Sequence, residues 1–282
     1  MIYLILAILT STLIIITFRI FERFNISRLQ AITVNYLVAA GFGFMSKSGS
    51  FQFSEIPGQS WFISSLIIGI TLIVAFNLFA LSTRHAGVSI TAISSRMSVI
   101  IPVSLGFLVF GDTAGWLKIT GIILALIAFY FSSKRSKTLL VNKKHALLPA
   151  LLFMAVGLND SMMKVAEHFY VNDDFVVFLA TSFSIALLLG IIVLASGRKC
   201  EKFEFKNIIA GIVLGLLNWY STLYFLRGLD LYQVSFFVPI YNVGVVTLAS
   251  LSGFVFFNEK LTMHKLIGIG LAIIAIILIA QG

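Results

Sequence analysis

The sequence predicts an all-α polytopic membrane protein with ten transmembrane helices arranged as two inverted five-helix repeats. Three observations lead there. The first is composition: of 282 residues, 59% are hydrophobic and only 11% charged, with a mean hydropathy of +1.04. A soluble domain cannot bury that much apolar surface, so lipid must solvate most of the chain. The second is that the apolar residues fall into ten continuous runs separated by short polar turns. The third is a stretch that occurs twice. FGDTAGWLKITGIILALIA, from Phe110 to Ala128, aligns without a gap on FNEKLTMHKLIGIGLAIIA, from Phe257 to Ala275. Phe110 falls on Phe257, Asp112 on Glu259, Lys118 on Lys265 and Gly121 on Gly268. Matches among Ile, Leu and Ala mean little in so apolar a chain. An acid, a lysine and a glycine in fixed register mark a long-period repeat.

The runs cover residues 2–21, 29–45, 61–82, 86–110, 115–132, 146–168, 174–195, 207–227, 232–256 and 263–280. Most are near the roughly 20 residues that a spanning helix needs. They are continuous, not alternating, which favours helices over a barrel. The first run, MIYLILAILTSTLIIITF, has no basic leader and no small-residue cleavage site, and is expected to be a retained span. Turns expected at Arg84-His85, Gly111-Asp112 and Gly228-Leu229-Asp230 are so short that they force antiparallel neighbours.

Weaker matches extend the repeat: Arg19, Glu22 and Phe24 align with Lys164, Glu167 and Phe169, Ser89 with Ser235, and Arg96 with Asn242. The expected organisation is a first five-helix repeat over 1–133, a basic linker over 134–145 and a second repeat over 146–282. An odd number of spans per half makes the second half enter the membrane in the opposite orientation. Inverted repeats of this kind underlie many alternating-access transporters, with substrate near the bilayer midplane.

The net charge is +9, and the basic residues sit in short loops between spans. That pattern fits loops facing anionic headgroups and disfavours nucleic acid as a partner. Arg19, Arg23, Arg28, Arg84, the linker, Arg198, Lys199, Lys202, Lys206, Lys260 and Lys265 fall on one side of the membrane. Lys47, Lys118, Lys164 and Arg227 fall on the other. The positive-inside rule then places both termini outside the cytoplasm. A single cysteine, Cys200, excludes an internal disulfide.

The FGD and FNE turns, each followed by a lysine and then a glycine on the next span, resemble the drug/metabolite transporter superfamily in its ten-helix EamA-type branch. That family has Phe or Leu, a small residue, Glu, then a glycine in the following helix; here Asp112 stands for the Glu and Asn258 for the small residue. The resemblance runs over the whole length. It implies a transporter of amino acids, nucleotide sugars, amines or other metabolites, and it implies cytoplasmic termini, against the loop charges.

Polar residues at membrane depth are the strongest functional signal. Arg96 lies about ten residues into the fourth run, roughly 15 Å deep at 1.5 Å per residue, near the middle of a roughly 30 Å core. It must face protein, water or an anion; a structural ion pair is the alternative to a substrate cavity. Ser89 lies on the same helical face, and Ser235, Pro239 and Asn242 occupy the repeat-related face. Asp160, beside Asn159, either pairs with Lys164 at i+4, balances Arg96, or binds a proton or an amine. Asn77, Tyr36, Trp219, Tyr220, Tyr224 and Tyr241 are expected to shape the pocket, with interhelical packing as the bland alternative. Pro102 and Pro239, inside the fourth and ninth runs, are candidates for gating bends. Asp112 and Glu259 are expected to cap the helices that follow them.

The four histidines, His85, His145, His168 and His264, have no metal-ligand spacing, and no nucleophile elbow or phosphate loop is present. No cofactor and no catalytic group are expected. The function expected is secondary transport of a small polar metabolite, an amino acid or another carboxylate-bearing or zwitterionic compound, across a bacterial inner membrane. Its partners would be that substrate, membrane lipids, and a coupled proton or counter-substrate. The rivals are a flippase for a lipid or lipid-linked sugar, an amine transporter using Asp160 and the aromatics, and an intramembrane enzyme.

Overall fold

The computed structural model describes residues 1–46, 53–85, 88–113, 115–133, 147–171, 175–196, 204–257 and 262–282. The linker 134–145, Asn258-Glu259, Lys47, Arg198, Lys199, Lys202 and Lys260 lie outside the described residues, as do the side chains of Arg19, Glu22, Arg84, Ser89 and Lys265. The described elements are helical: α1 (Ile2–Arg23), α2 (Arg28–Met45), a short 3-10 turn (Phe53–Gly58), α3 (Phe62–His85), α4 (Val88–Met97), α5 (Ile100–Leu108), α6 (Trp116–Ser133), α7 (Leu147–Phe169), α8 (Phe175–Ser196), α9 (Phe205–Leu231), α10 (Val234–Phe257) and α11 (Met263–Gln281). Among the described residues, five helices are long and apolar enough to cross a membrane, within α3, α7, α8, α9 and α10, and shorter apolar stretches lie in α1, α4–α5, α6 and α11. Helices satisfy their own backbone groups where no water can, so continuous apolar runs fold this way in lipid.

Each expected run forms one helix except the fourth, which is divided into α4 and α5. Two expected turns are helical instead. Helix α3 runs through Arg84 to His85, and α9 continues through Gly228-Leu229-Asp230 to Leu231. Polar residues at the end of an apolar run mark where the hydrocarbon stops, not where the helix stops. Leu229 is fully buried, so packing carries α9 past its glycine.

The chain forms two compact units that interleave the sequence halves. One comprises Met1–Ile73 with Met162–Asp230, the other Val74–Ser161 with Leu231–Gly282. Helices α3 and α7 each contribute to both.

In the first unit α2 packs along α8. Helix α9 also lies close to α2, because a Cβ on Gly211 would meet the Ala31 carbonyl at 2.7 Å and one on Gly215 the Asn35 carbonyl at 2.8 Å. These two glycines, four residues apart, are a small-residue stripe of the kind that lets membrane helices approach. Polar groups are paired internally. Ser11 and Ser221 share a hydrogen bond of 2.5 Å. Asn207 accepts from the Ser27 amide at 3.1 Å and donates to Gln30 Oε1 at 2.7 Å, tying the starts of α9 and α2 together. Hydroxyls such as Thr12, Thr33 and Ser182 donate to carbonyls four residues back, which satisfies them within their own helix.

Lys164 is buried, not headgroup-facing as its place among the loop charges implied. Its Nζ donates to Glu167 Oε2 and to the Leu229 carbonyl, both at 2.6 Å. The carboxylate that pairs with Lys164 is Glu167 at i+3 and not Asp160, and the same ammonium reaches a carbonyl at the end of α9, where a cation is favoured.

In the second unit α6 packs along α11, α10 contacts α5, α6 and α11, and α4 contacts α6. A Cβ on Gly121 would meet the Ala275 carbonyl at 3.1 Å, so this glycine of the repeated stretch is where α6 and α11 meet. The pairs α2–α8 and α6–α11 each join repeat-equivalent helices.

The acidic turn behaves differently from expectation. Gly111 takes the left-handed conformation, φ 67°. Asp112 then caps α10, not the following α6: its Oδ2 accepts from the Ser235 amide at 2.7 Å. Tertiary approach put an orphan amide of another helix nearer than those of α6. Lys118, also expected beside headgroups, is only 3% exposed. Its Nζ donates to Thr113 Oγ1 and Gln233 Oε1, each at 2.8 Å.

Candidate substrate site

The sharpest candidate lies where the fourth run breaks. Pro102 has no amide hydrogen to give the Ser98 carbonyl, and its ring crowds that carbonyl. The helix opens at Ser98-Val99 in response. The Ser98 carbonyl instead accepts from Ile101 at 3.0 Å, three residues on, and Val99 reaches back to the Arg96 carbonyl at 3.4 Å. Pro102 becomes the third residue of α5, a position where a helix needs no amide hydrogen. Ser98 closes the end of α4 through its own hydroxyl, which donates to the Ser95 carbonyl at 2.7 Å.

The break leaves Arg96 in the last turn of α4, where the helix dipole favours a cation. Arg96 Nη1 donates to Asn242 Oδ1 at 3.0 Å. Asn242 is buried and its Nδ2 donates to the Val238 carbonyl at 3.0 Å. That second bond fixes the amide so that its oxygen points at the guanidinium. The two residues that the internal repeat aligns are therefore bonded to each other.

Asp160 and Tyr241 interact electrostatically with Arg96, and Asp160 is hydrogen-bonded to Asn159. Arg96, Asn159, Asp160 and Tyr241 all keep accessible area. Tyr241 stacks on Phe237, with ring centroids 6.1 Å apart and planes 4° from parallel. Among the described residues no ion pair joins Arg96 to a carboxylate. A guanidinium has five N–H donors in a rigid fork, and among the described residues the hydrogen bond it makes goes to Asn242.

Other sequence candidates fall elsewhere. Asn77, on α3 in the same unit, is partly exposed. Ser235 is fully buried at the start of α10, seven residues before Asn242, with its amide on Asp112 and its hydroxyl without a partner. Pro239 lies inside α10, which stays continuous. The remaining candidates belong to the first unit. Trp219 is 1% exposed and its ring fills the space left by Gly43. Tyr36 is buried beside Phe183. Both rings serve packing in this conformation. Tyr220 is exposed and stacks on Tyr224, centroids 5.9 Å apart, and Tyr224 lies against Tyr3.

Sequence reasoning missed three polar groups in the second unit. Gln233 receives Lys118, and Ser82 and Thr91 share a buried hydrogen bond of 2.7 Å that joins α3 to α4. The flanking of one short turn by two hydroxyl residues was the available signal for the latter pair.

Comparison with known proteins fits this architecture. Residues 144–281 match the EamA-like transporter family. The match covers the second half of the chain. The match and the apolar helices together support an integral membrane protein, and the matched family is one of transporters. An uncharacterized protein of Haemophilus influenzae is 27% identical over 97% of this chain and 95% of its own length. A crystal structure of a protein 10% identical in sequence superposes with a TM-score of 0.80 over 98% of this chain and 94% of its own. At that identity the likeness speaks to the fold alone.

Proposed function

We propose that this chain is an EamA-family secondary transporter of a small carboxylate-bearing metabolite, an amino acid or related zwitterion, in a bacterial inner membrane. One observation carries the reading: among the described residues, the hydrogen bond that holds Arg96 goes to one neutral acceptor, Asn242. Four N–H groups of a cation that stays protonated remain to be satisfied. A planar carboxylate fills two of them in a bidentate pair. Asn242 and Tyr241 would then position the guanidinium, and Asp160 would take the ammonium of a zwitterion or a coupled proton. The helix broken beside a charged midplane residue supports alternating access by inverted repeats, since discontinuous helices at that depth are where such transporters hold substrate.

The test is thermal stabilisation of the purified protein by amino acids, other organic anions, amines and nucleotide sugars, repeated with Arg96→Leu and Arg96→Lys. Two charge-assisted hydrogen bonds at about 1.5–3 kcal/mol each predict a loss of roughly 10²–10⁴ in affinity for Arg96→Leu. Arg96→Lys keeps the charge but not the fork and should fall in between. Stabilisation by carboxylates that survives Arg96→Leu, or by amines alone, overturns the assignment.

A further inference from the structure

An apolar groove of about 460 Å³ lies in the second unit, beside the break between α4 and α5. Met97 and Ile100 line it from the two sides of the break, and Pro149, Ala150, Phe153 and Met154 line it from the first half of α7. Ser94 contributes its one hydroxyl-bearing side chain. Its rim is open: Met154 is 58% exposed and Ile100 37%. We propose that this groove is a binding site for one lipid acyl chain.

Position and chemistry both favour that occupant. Ser94, Met97 and Ile100 flank the centre of the α4–α5 span, and the α7 lining lies in the first two turns of an apolar helix, which puts the groove in the hydrocarbon layer between the middle of one span and the start of the other. Its rim is continuous with the lipid-facing surface of the same helices. At that depth acyl chains are the abundant apolar partner, and an empty groove forfeits the contacts of every atom that lines it. A hydrated occupant is disfavoured, because water in an apolar groove lacks the several polar partners it needs. Further along α7, a Cβ on Gly157 would collide with the Ile101 side chain. The two segments close tightly there, which ends the groove. The groove is formed jointly by the two halves of the broken helix, so an acyl chain in it bears on the bend itself.

The experiment uses the full chain in phosphatidylethanolamine–phosphatidylglycerol vesicles doped with a phospholipid carrying a diazirine on its acyl chain. After photolysis, labelled residues are mapped by mass spectrometry. Expected is labelling at Met154, and at the half-buried Met97 and Phe153, several-fold above that at Ile273 and Ile274, which are about as exposed on α11 as Met154. Ala150→Trp, which fills the groove, should remove that excess and leave the α11 signal unchanged. Met154→Trp, at the open rim, serves the same end if Ala150→Trp fails to fold. Equal labelling of both faces, persistence of the excess in a folded groove-filling variant, or stronger labelling by a water-soluble diazirine would each overturn the proposal. None of these readouts depends on the identity of the transported substrate.

Discussion

Replacing the two prolines separately distinguishes a helix break from a helix that merely contains proline. Pro102→Ala restores an amide hydrogen facing the Ser98 carbonyl. That carbonyl already accepts from Ile101 at 3.0 Å, so the gain is one ordinary bond, about 0.5–1.5 kcal/mol. Loss of the proline's restriction of the unfolded chain offsets about 0.4–1 kcal/mol. Stability should therefore change by less than about 1 kcal/mol, while the break closes toward a continuous helix. Pro239 is different. Helix α10 is continuous around it, so the Ser235 carbonyl gives up its helical bond and the ring crowds it. Pro239→Ala should recover a part of the roughly 3 kcal/mol that an interior proline costs, about 1–3 kcal/mol. Denaturation in a mild detergent measures the first quantity. Hydrogen exchange at residues 97–101 measures the second, and about 1 kcal/mol of local stabilisation slows exchange about fivefold. If Pro102→Ala leaves exchange at the break unchanged, the proline is not its cause. If the two variants alter transport alike, the gating role assigned to the broken helix falls.

Three further outcomes follow from buried contacts. Gly43→Ala should destabilise the protein by about 1–3 kcal/mol, the usual range for overpacking, because its Cβ would meet the rigid Trp219 ring at 2.6 Å; thermal unfolding checks this, and Gly41→Ala, with open space around it, is the control. Asp112→Ala should cost about 0.5–2 kcal/mol by uncapping α10, and the exchange protection lost should lie at residues 234–237, not in the first turn of α6. Lys164→Met alone strands Glu167 in a buried site and should cost about 3–5 kcal/mol, whereas Lys164→Met combined with Glu167→Leu should recover most of it; a double variant as unstable as the single one refutes the pairing.

Much of the molecule was legible in the chain because hydropathy reports solvent directly. The apolar runs matched helices to within a few residues, and the repeat picked out Gly121, where α6 and α11 meet. The repeat alignment also placed Arg96 opposite Asn242, which the fold joins by a hydrogen bond. Side-chain partners were less legible. Asp112 was read as a cap for its own neighbour and instead caps α10. Lys118 and Lys164 read as headgroup cations and are buried. Local sequence shows that an acid or a cation sits at a turn, but its partner is whichever donor or acceptor the packing brings nearest.

The sequence by itself determined the solvent, the helical class and the number of runs, all of which rest on residue type and spacing along one dimension. Only the tertiary structure decided that the units interleave the halves, that Pro102 divides a helix while Pro239 does not, and that Trp219 packs against Gly43 in the core of its unit. Both prolines lack the same hydrogen and both tryptophan faces are apolar. The outcome depends on which neighbouring atoms crowd each one, and contacts between residues far apart in sequence leave no periodic trace along the chain.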